Sequence, residues 1–243
     1  MRVIIAKDQH AVGAIAATLI AAQVLEKPDC VLGLSTGASP LPTYAELARM
    51  HREGIVDFSR ITSFNLDEYV GLPITHPESY HAFMWRNLFS LIQMRPEQVH
   101  LPDGNAADLH AEAAAYEARI LAAGGVDLQL VGIGLNGHIG FNEPEDIYQK
   151  HTHVVALSQS TIQANRRFFD TEAEVPTRAI TMGVHTIQRA RKVVMVACGE
   201  GKAAIVRTLV EGDTTPRIPA SVLQLHPCAC VVLDEAAASH LTK

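Results

Sequence analysis

Short apolar runs alternate with amphipathic segments along most of the chain, which is typical of proteins in which strands alternate with helices. The apolar runs predict strands at residues 2–6, 30–34, 60–66, 128–131, 153–157, 179–182, 192–198 and 228–233. The amphipathic segments predict helices at residues 8–26, 40–50, 78–91, 106–123, 161–169 and 201–210. This order predicts an α/β fold: a single doubly wound, mostly parallel sheet with helices on both faces, similar to a modified Rossmann fold. We expect one domain that covers residues 1–243.

The composition excludes several classes of function. The net charge of −6 argues against a general binder of nucleic acid or of anionic membranes, although it allows an anionic small ligand. The first apolar run is too short for a signal peptide, and the apolar segment at residues 14–25 is too short to span a bilayer. The four cysteines match no zinc or redox spacing, so we expect buried thiols and no metal site. These features together predict a cytoplasmic protein.

The most unusual loop follows the predicted strand at 128–131 and reads GIGLNGHIGFNEP, residues 132–144. Its four glycines within nine residues let the backbone come close to a ligand. His138 and Glu143 could act as a pair in which the carboxylate orients the imidazole, with Asn136 beside them. A glycine-rich connection with an incidental histidine remains the alternative that these residues alone leave open.

The same loop matches the dinucleotide-binding pattern G-x-G-x-x-G. That pattern needs a helix directly after it, and Pro144 interrupts any such helix seven residues after Gly137. The pattern also usually lies in the first strand–helix unit of a fold, not in mid-chain. We therefore discount a dinucleotide site.

Two other predicted strands also end in unusual loops. The strand at 30–34 leads into a hydroxyl-rich turn just before a helix, where backbone N–H groups and the helix dipole favour an anion. Its candidate anion-binding residues are Ser35, Thr36, Gly37, Ala38 and Ser39. A simple N-cap on a tight turn is the alternative. The strand at 60–66 is followed by Asp67 and Glu68, which could supply a general base, a metal ligand or a helix cap, and on their own they favour the cap.

The sequence resembles the glucosamine-6-phosphate deaminase (isomerase) family nearly from end to end. The resemblance is carried, in family order, by the motifs LGLSTGASP, SFNLDEYVGL, HPESYHAFM, GIGLNGHIGFNEP, ANRRFFD and LQLHP. The combination of FNLDEYVGL with GHIGFNEP is highly specific. The related 6-phosphogluconolactonases share the fold and a similar glycine–histidine loop, but lack the FNEP ending and the DEY strand end.

The resemblance implies a small-molecule substrate, glucosamine 6-phosphate, which is converted with water into fructose 6-phosphate and ammonia. Asp67 would be the base that moves a proton between C2 and C1 through an enolamine. His138 would open the pyranose ring, supported by Glu143 and Asn136. The phosphate would be held by residues Ser35 to Ser39, Arg167 and Lys202; without the resemblance, these last two would be ordinary surface charges. The resemblance implies neither a metal nor an organic cofactor.

Residue 136 departs from the family pattern, because many members have Asp where this chain has Asn. A neutral amide can hydrogen-bond the imidazole, but it stabilises an imidazolium less than a carboxylate would. We expect a functional variant and not an inactive enzyme.

Two alternatives to this function remain. One is a deaminase for another amino-sugar phosphate, such as galactosamine 6-phosphate. The other is a non-catalytic sugar-phosphate sensor, which would be expected to lack at least one of Asp67, His138 and Glu143. All three are present, so the sequence favours an enzyme.

The chain is expected to be a short, non-allosteric family member and a monomer or small homo-oligomer. Longer, hexameric members bind N-acetylglucosamine 6-phosphate through basic residues after the N-E-P motif and a C-terminal extension, whereas this chain has His153 and Val155 there and stops at Lys243. We therefore predict hyperbolic kinetics that added N-acetylglucosamine 6-phosphate leaves unactivated, measured as initial rate against substrate concentration. Sigmoidal kinetics that this ligand relieves would contradict the prediction.

Overall fold

The computed structural model describes residues 1–166, 169, 171 and 174–242, with only the backbone at Ser160 and Ala164. Its centre is a sheet of seven strands in which every neighbouring pair is parallel. In spatial order the strands are Arg2–Ala6 (β1), Ala229–Asp234 (β10), Lys192–Ala197 (β9), Leu128–Val131 (β6), Val31–Leu34 (β2), Thr62–Asn65 (β3) and Val99–His100 (β5).

Helices connect these strands and begin where the sequence offers capping residues. The Asp8 side chain accepts the N–H of Ala11 at 2.8 Å and starts the first helix, as expected. The helices are Gln9–Glu26 (α1), Leu41–Arg52 (α2), Tyr80–Met84 (α3), Leu109–Ala122 (α4), Gln159–Asn165 (α5), Val184–Gln188 (α6) and Ala203–Glu211 (α7). A π-helical turn, Trp85–Phe89, extends α3, and short 3₁₀ helices lie at Pro96–Gln98, Glu200–Lys202 and Pro219–Leu225.

Helices cover both faces of the large sheet, so the predicted α/β fold class is confirmed. On one face, Leu32 and Leu34 of β2 pack in a buried cluster with Ile20 of α1 and Leu47 of α2. On the other face, a second cluster joins side chains of the sheet to α4, α6 and α7, among them Val31, Phe64, Tyr116, Ile187 and Val206. Burial on both faces explains why these strands are nearly continuous apolar runs.

Three short strands form a second, antiparallel sheet, whereas the sequence predicted a single sheet. Two of these strands were predicted, at residues 153–157 and 179–182. The three strands are Asp67–Tyr69 (β4), Arg178–Thr181 (β8) and His153–Ala156 (β7), with β8 in the middle. Leu66 connects the two sheets: its N–H donates to the carbonyl of Leu34 at 2.9 Å, and its carbonyl accepts from the N–H of Met182 at 2.7 Å. The chain therefore leaves the large sheet one residue before Asp67.

Several local predictions need correction. The segments β5 and α6 were not predicted, because strands and helices of two and five residues are too short for a periodic pattern. The described helix α5 begins at Gln159, two residues before the predicted start, and ends at Asn165; residues 167 and 168 of the predicted helix 161–169 lie outside the described residues. Cys228, in the turn before β10, is exposed, and Cys198 and Cys230 are only partly buried, so the expectation of buried cysteines is correct for Cys30 alone.

Within the described residues, the structure contains no helix that is long and apolar enough to cross a membrane.

Candidate active site

The loop of residues 132–143, which follows β6, lies so close to other parts of the chain that glycine is required. A β-carbon added at Gly134 would lie 2.2 Å from Cε1 of His138, so the imidazole packs directly against this backbone. Gly140 has φ +58°, and a β-carbon there would lie 2.7 Å from Oγ1 of Thr181 and 3.4 Å from Oδ2 of Asp67. The loop thus contacts both its own histidine and the acid at the start of β4.

The loops after two other strands meet the same segment. A β-carbon at Gly132 would lie 3.9 Å from that of Ser39, which places the loop after β2 alongside. The Nζ of Lys202, from the turn after β9, donates to the carbonyl of Ile133 at 2.6 Å. Carboxyl ends of parallel strands meet at one edge of a sheet, and this is where open α/β folds bind ligands.

The predicted anion-binding residues form an open turn at the start of α2. The hydroxyl of Tyr44 fixes the turn by donating to the carbonyl of Ser35 and accepting its N–H. Gly37 has φ +99° with open space where a β-carbon would lie, and no side chain caps α2. Lys202 is partly buried, and burial lowers the pKa of its ammonium. The turn offers backbone N–H groups and a nearby cation, which suit a phosphate.

Asp67 and Glu68 have separate roles, because neighbouring side chains on a strand point to opposite faces. The Glu68 carboxylate accepts the N–H groups of Tyr69, Tyr80 and His81 at 2.8–3.0 Å, so it caps the start of α3. Asp67 is only 6% exposed and faces Gly140. Burial, together with the negative charge of Glu68, raises the pKa of Asp67 to about 8. A carboxyl of this kind can exchange a proton near neutral pH.

His138 and Glu143 form the second titratable pair. The Nδ1 of His138 lies 3.5 Å from Oε1 of Glu143, a distance at which a protonated imidazole forms an ion pair. The Glu143 carboxylate also accepts from the amide of Asn136 at 2.6 Å and from the hydroxyl of Thr161 at 2.9 Å. Burial raises the pKa of Glu143, but His138, Asn136 and Thr161 outweigh it and lower the pKa to about 2. Glu143 is therefore ionised at neutral pH.

Asn136 does not hydrogen-bond the imidazole ring, contrary to the expectation from sequence. Its Nδ2 donates to Glu143, and its Oδ1 accepts the backbone N–H of His138 at 3.2 Å. An amide can donate to a carboxylate, whereas an ionised aspartate in the same place would repel it. Asn136 therefore acts on the histidine through Glu143 and through the backbone.

Sequence reasoning missed two hydroxyl side chains next to this site, Tyr80 and Thr161. Tyr80 opens α3 and stacks on Phe141 with 6.1 Å between the ring centroids, and its hydroxyl lies near the side chain of Thr36. Burial raises the pKa of Tyr80 well above its ordinary value. Thr161 lies in the first turn of α5. The HPESYH motif contained the tyrosine, but nothing in its local pattern indicated a place beside the anion-binding turn.

The structure thus brings most of the predicted site residues together along one edge. Arg167 lies outside the described residues. Among the residues that are described, no group of three or more histidine, cysteine, aspartate or glutamate side chains could hold a metal ion.

A family profile described as glucosamine-6-phosphate isomerases/6-phosphogluconolactonase matches residues 7–231 of the chain. The chain belongs to this family. Two relatives named glucosamine-6-phosphate deaminase illustrate the similarity. The one from Clostridioides difficile (strain 630) is 49% identical over 241 residues, covering 99% of this chain and 97% of the relative. The one from Lachnoclostridium phytofermentans is 50% identical over 232 residues, covering 96% and 98%.

Two solved structures illustrate how widely the fold is shared. A structure described as a monomeric glucosamine-6-phosphate deaminase superimposes with a TM-score of 0.96 at 43% identity, covering 99% of this chain and 100% of that one. A 6-phosphogluconolactonase from Trypanosoma brucei superimposes with a TM-score of 0.78 at 18% identity, covering 99% and 98%, and shares the fold.

The raised pKa of Asp67 predicts that Asp67→Asn stabilises the ligand-free protein. An aspartate ionises near pH 4 in the unfolded chain but near pH 8 here, so the folded wild type becomes less stable relative to the variant as pH rises from about 4 to 8. The free energy of unfolding of the variant, measured in urea, should exceed that of the wild type by at least about 1 kcal/mol at pH 8. The gain should shrink towards pH 4.5, and a gain that does not depend on pH would argue against the prediction.

The charge of Glu68 predicts that Glu68→Gln lowers the pKa of Asp67. The amide keeps an oxygen that can accept N–H groups of α3 but removes the negative charge next to Asp67. The pKa is measured from the ¹³C shift of the Asp67 carboxyl as a function of pH. Glu97→Gln, which changes a glutamate with 68% side-chain exposure, serves as the control. If the pKa of Asp67 is the same in Glu68→Gln and Glu97→Gln, the charge of Glu68 does not contribute to raising it.

Proposed function

We propose that this protein is a glucosamine-6-phosphate deaminase that converts glucosamine 6-phosphate and water into fructose 6-phosphate and ammonia. The observation that carries the proposal is the convergence, on the loop of residues 132–143, of a buried carboxyl group and a histidine–glutamate pair. Asp67 lies against Gly140, and His138 lies against Gly134 and Glu143. Relatives that carry this name cover nearly the whole chain.

Ring opening is the first step. His138 takes the proton from the O1 hydroxyl of the pyranose and delivers a proton to the ring oxygen O5, while the C1–O5 bond breaks and a carbonyl forms at C1. The imidazole is cationic between these two transfers. Glu143, ionised at neutral pH and 3.5 Å away, stabilises that cation and orients the ring.

Isomerisation and deamination follow on the open chain. Asp67 removes the proton from C2 while the substrate's ammonium group passes a proton to the carbonyl oxygen O1, which gives an enolamine. Asp67 then returns its proton to C1, which leaves a protonated imine at C2. Water adds to this imine, the C2–N bond breaks, and ammonia and fructose 6-phosphate are released. The raised pKa of Asp67 suits this role, because the same group must act first as a base and then as an acid.

The phosphate lies at the start of α2 in this proposal, on the backbone N–H groups of residues Ser35 to Ser39. Lys202 and Arg167 supply positive charge, the latter by its place in the ANRRFFD motif. The Nζ of Lys202 must then break its hydrogen bond to the carbonyl of Ile133 and bind the phosphate instead. Every step moves a proton, water or ammonia, so the proposal invokes no metal or cofactor.

The remaining parts of the proposal concern the state of the protein. Residues 1–243 act as one domain, as a monomer or small homo-oligomer in the cytoplasm, and bind a sugar phosphate and no nucleic acid. The structure described as a monomeric deaminase, at 43% identity, supports the small assembly. The oligomeric state is tested by measuring the molar mass in solution with light scattering after size-exclusion chromatography.

The activity is tested by incubating the purified protein with glucosamine 6-phosphate and measuring both ammonia and fructose 6-phosphate. We expect equal amounts of the two products, and a loss of about 10²–10⁴-fold in kcat/KM for Asp67→Asn, the contribution typical of a general base. Asp103→Asn, in an exposed turn, is the matched control. Galactosamine 6-phosphate and 6-phosphogluconolactone are assayed in parallel. A preference for either, or no ammonia at all, would overturn the proposal.

A further inference from the structure

The Glu143 carboxylate is held by a residue from a different part of the chain. Its Oε2 accepts the amide of Asn136, which belongs to the same loop. Its Oε1 accepts the hydroxyl of Thr161, 18 residues away, at 2.9 Å. The same Oε1 faces Nδ1 of His138 at 3.5 Å, beyond ordinary hydrogen-bond distance. One carboxylate oxygen is therefore shared between the histidine and α5.

Thr161 is itself fixed by the residue that caps α5. The Ser158 hydroxyl accepts the N–H of Thr161 at 3.2 Å and donates to its hydroxyl oxygen at 2.9 Å. The Ser158 hydroxyl also lies 3.4 Å from the same Oε1 of Glu143, but the Thr161 hydroxyl, at 2.9 Å, is the nearer donor. The chain of hydroxyl groups from Ser158 through Thr161 to Glu143 links the first turn of α5 to the carboxylate.

We propose that Thr161 is a positioning residue for ring opening: its hydroxyl fixes the rotation of the Glu143 carboxylate relative to His138, so that the placement of α5 controls this step. The inference rests on the proposed function, and adds to it a residue that does not contact the reacting atoms. With Asn136 as its only donor, the Glu143 carboxylate would be held at Oε2 and could still rotate about that hydrogen bond. The short hydrogen bond from Thr161 to Oε1, with the longer contact from Ser158 beside it, removes this freedom.

Thr161 is the better residue to change, because replacing Ser158 would also remove the cap of α5. Thr161→Val keeps the shape of the side chain and removes only the hydroxyl group. Thr161→Ser keeps the hydroxyl group and removes the methyl group. Thr18→Val, at an exposed position in α1 where the hydroxyl bonds a backbone carbonyl, is the matched control.

The test compares kcat/KM for glucosamine 6-phosphate with hydrogen or deuterium at C2. Removal of the C2 proton is sensitive to deuterium, whereas ring opening is not. We expect Thr161→Val to lower kcat/KM about tenfold, the effect of losing one hydrogen bond to a charged group. The isotope effect should fall towards 1, because ring opening then limits the rate. Thr161→Ser and Thr18→Val should keep the wild-type values.

Each outcome decides a separate question. A wild-type protein that releases no ammonia contradicts the proposed function itself. An active wild type with an equally active Thr161→Val variant contradicts the positioning role alone. A slower Thr161→Val variant with an unchanged isotope effect would indicate a general loss of active protein. A slower variant with a larger isotope effect would indicate that removal of the C2 proton by Asp67 is impaired. Either result would overturn the inference.

Discussion

The site depends on the close approach of one backbone segment to side chains from several parts of the fold. The loop of residues 132–143 has no room for β-carbons at Gly134 and Gly140, since these would overlap the His138 ring and the Thr181 hydroxyl. Any larger residue at either position would push apart the groups that must act on the same substrate. Positive φ at Gly140 adds a second reason, because it is unfavourable for residues with a β-carbon. The glycine pattern of this loop is therefore a packing requirement of the whole site.

The two sheets divide the site between them. The anion-binding turn and Lys202 follow strands of the large sheet, which is packed on both faces, whereas Asp67 belongs to the small antiparallel sheet. Leu66 is hydrogen-bonded to both sheets and so fixes the distance between them. The burial that raises the pKa of Asp67 makes its ionised form unfavourable, and the cores around the large sheet must provide the stability that offsets this.

The sequence predicted what depends on local pattern. Continuous apolar runs indicated the strands of the buried sheet, and glycine, proline and hydroxyl residues after them indicated three of its loops. It did not predict contacts made in three dimensions. Nothing near Thr161 in the sequence points to Glu143, and the different roles of Asp67 and Glu68 emerge only when β4 joins a second sheet. The resemblance to a family suggested that Asn136 contacts the imidazole; its actual partner, Glu143, follows from how the loop folds back on itself.

The burial of Asp67 against Gly140 has a stereochemical consequence. The carboxyl group lies at a fixed place in β4, so it faces only one side of a planar enolamine held in the site. A single group that takes a proton from C2 and returns one to C1 from that fixed place must do both on the same face of the plane. In the proposed reaction the transfer is then suprafacial, and the proton always enters C1 from the same face. Because C1 of the product is a CH2OH carbon, this choice becomes visible only with an isotopic label: the side of the substrate that the first residue of β4 occupies would decide which of the two C1 hydrogens comes from Asp67.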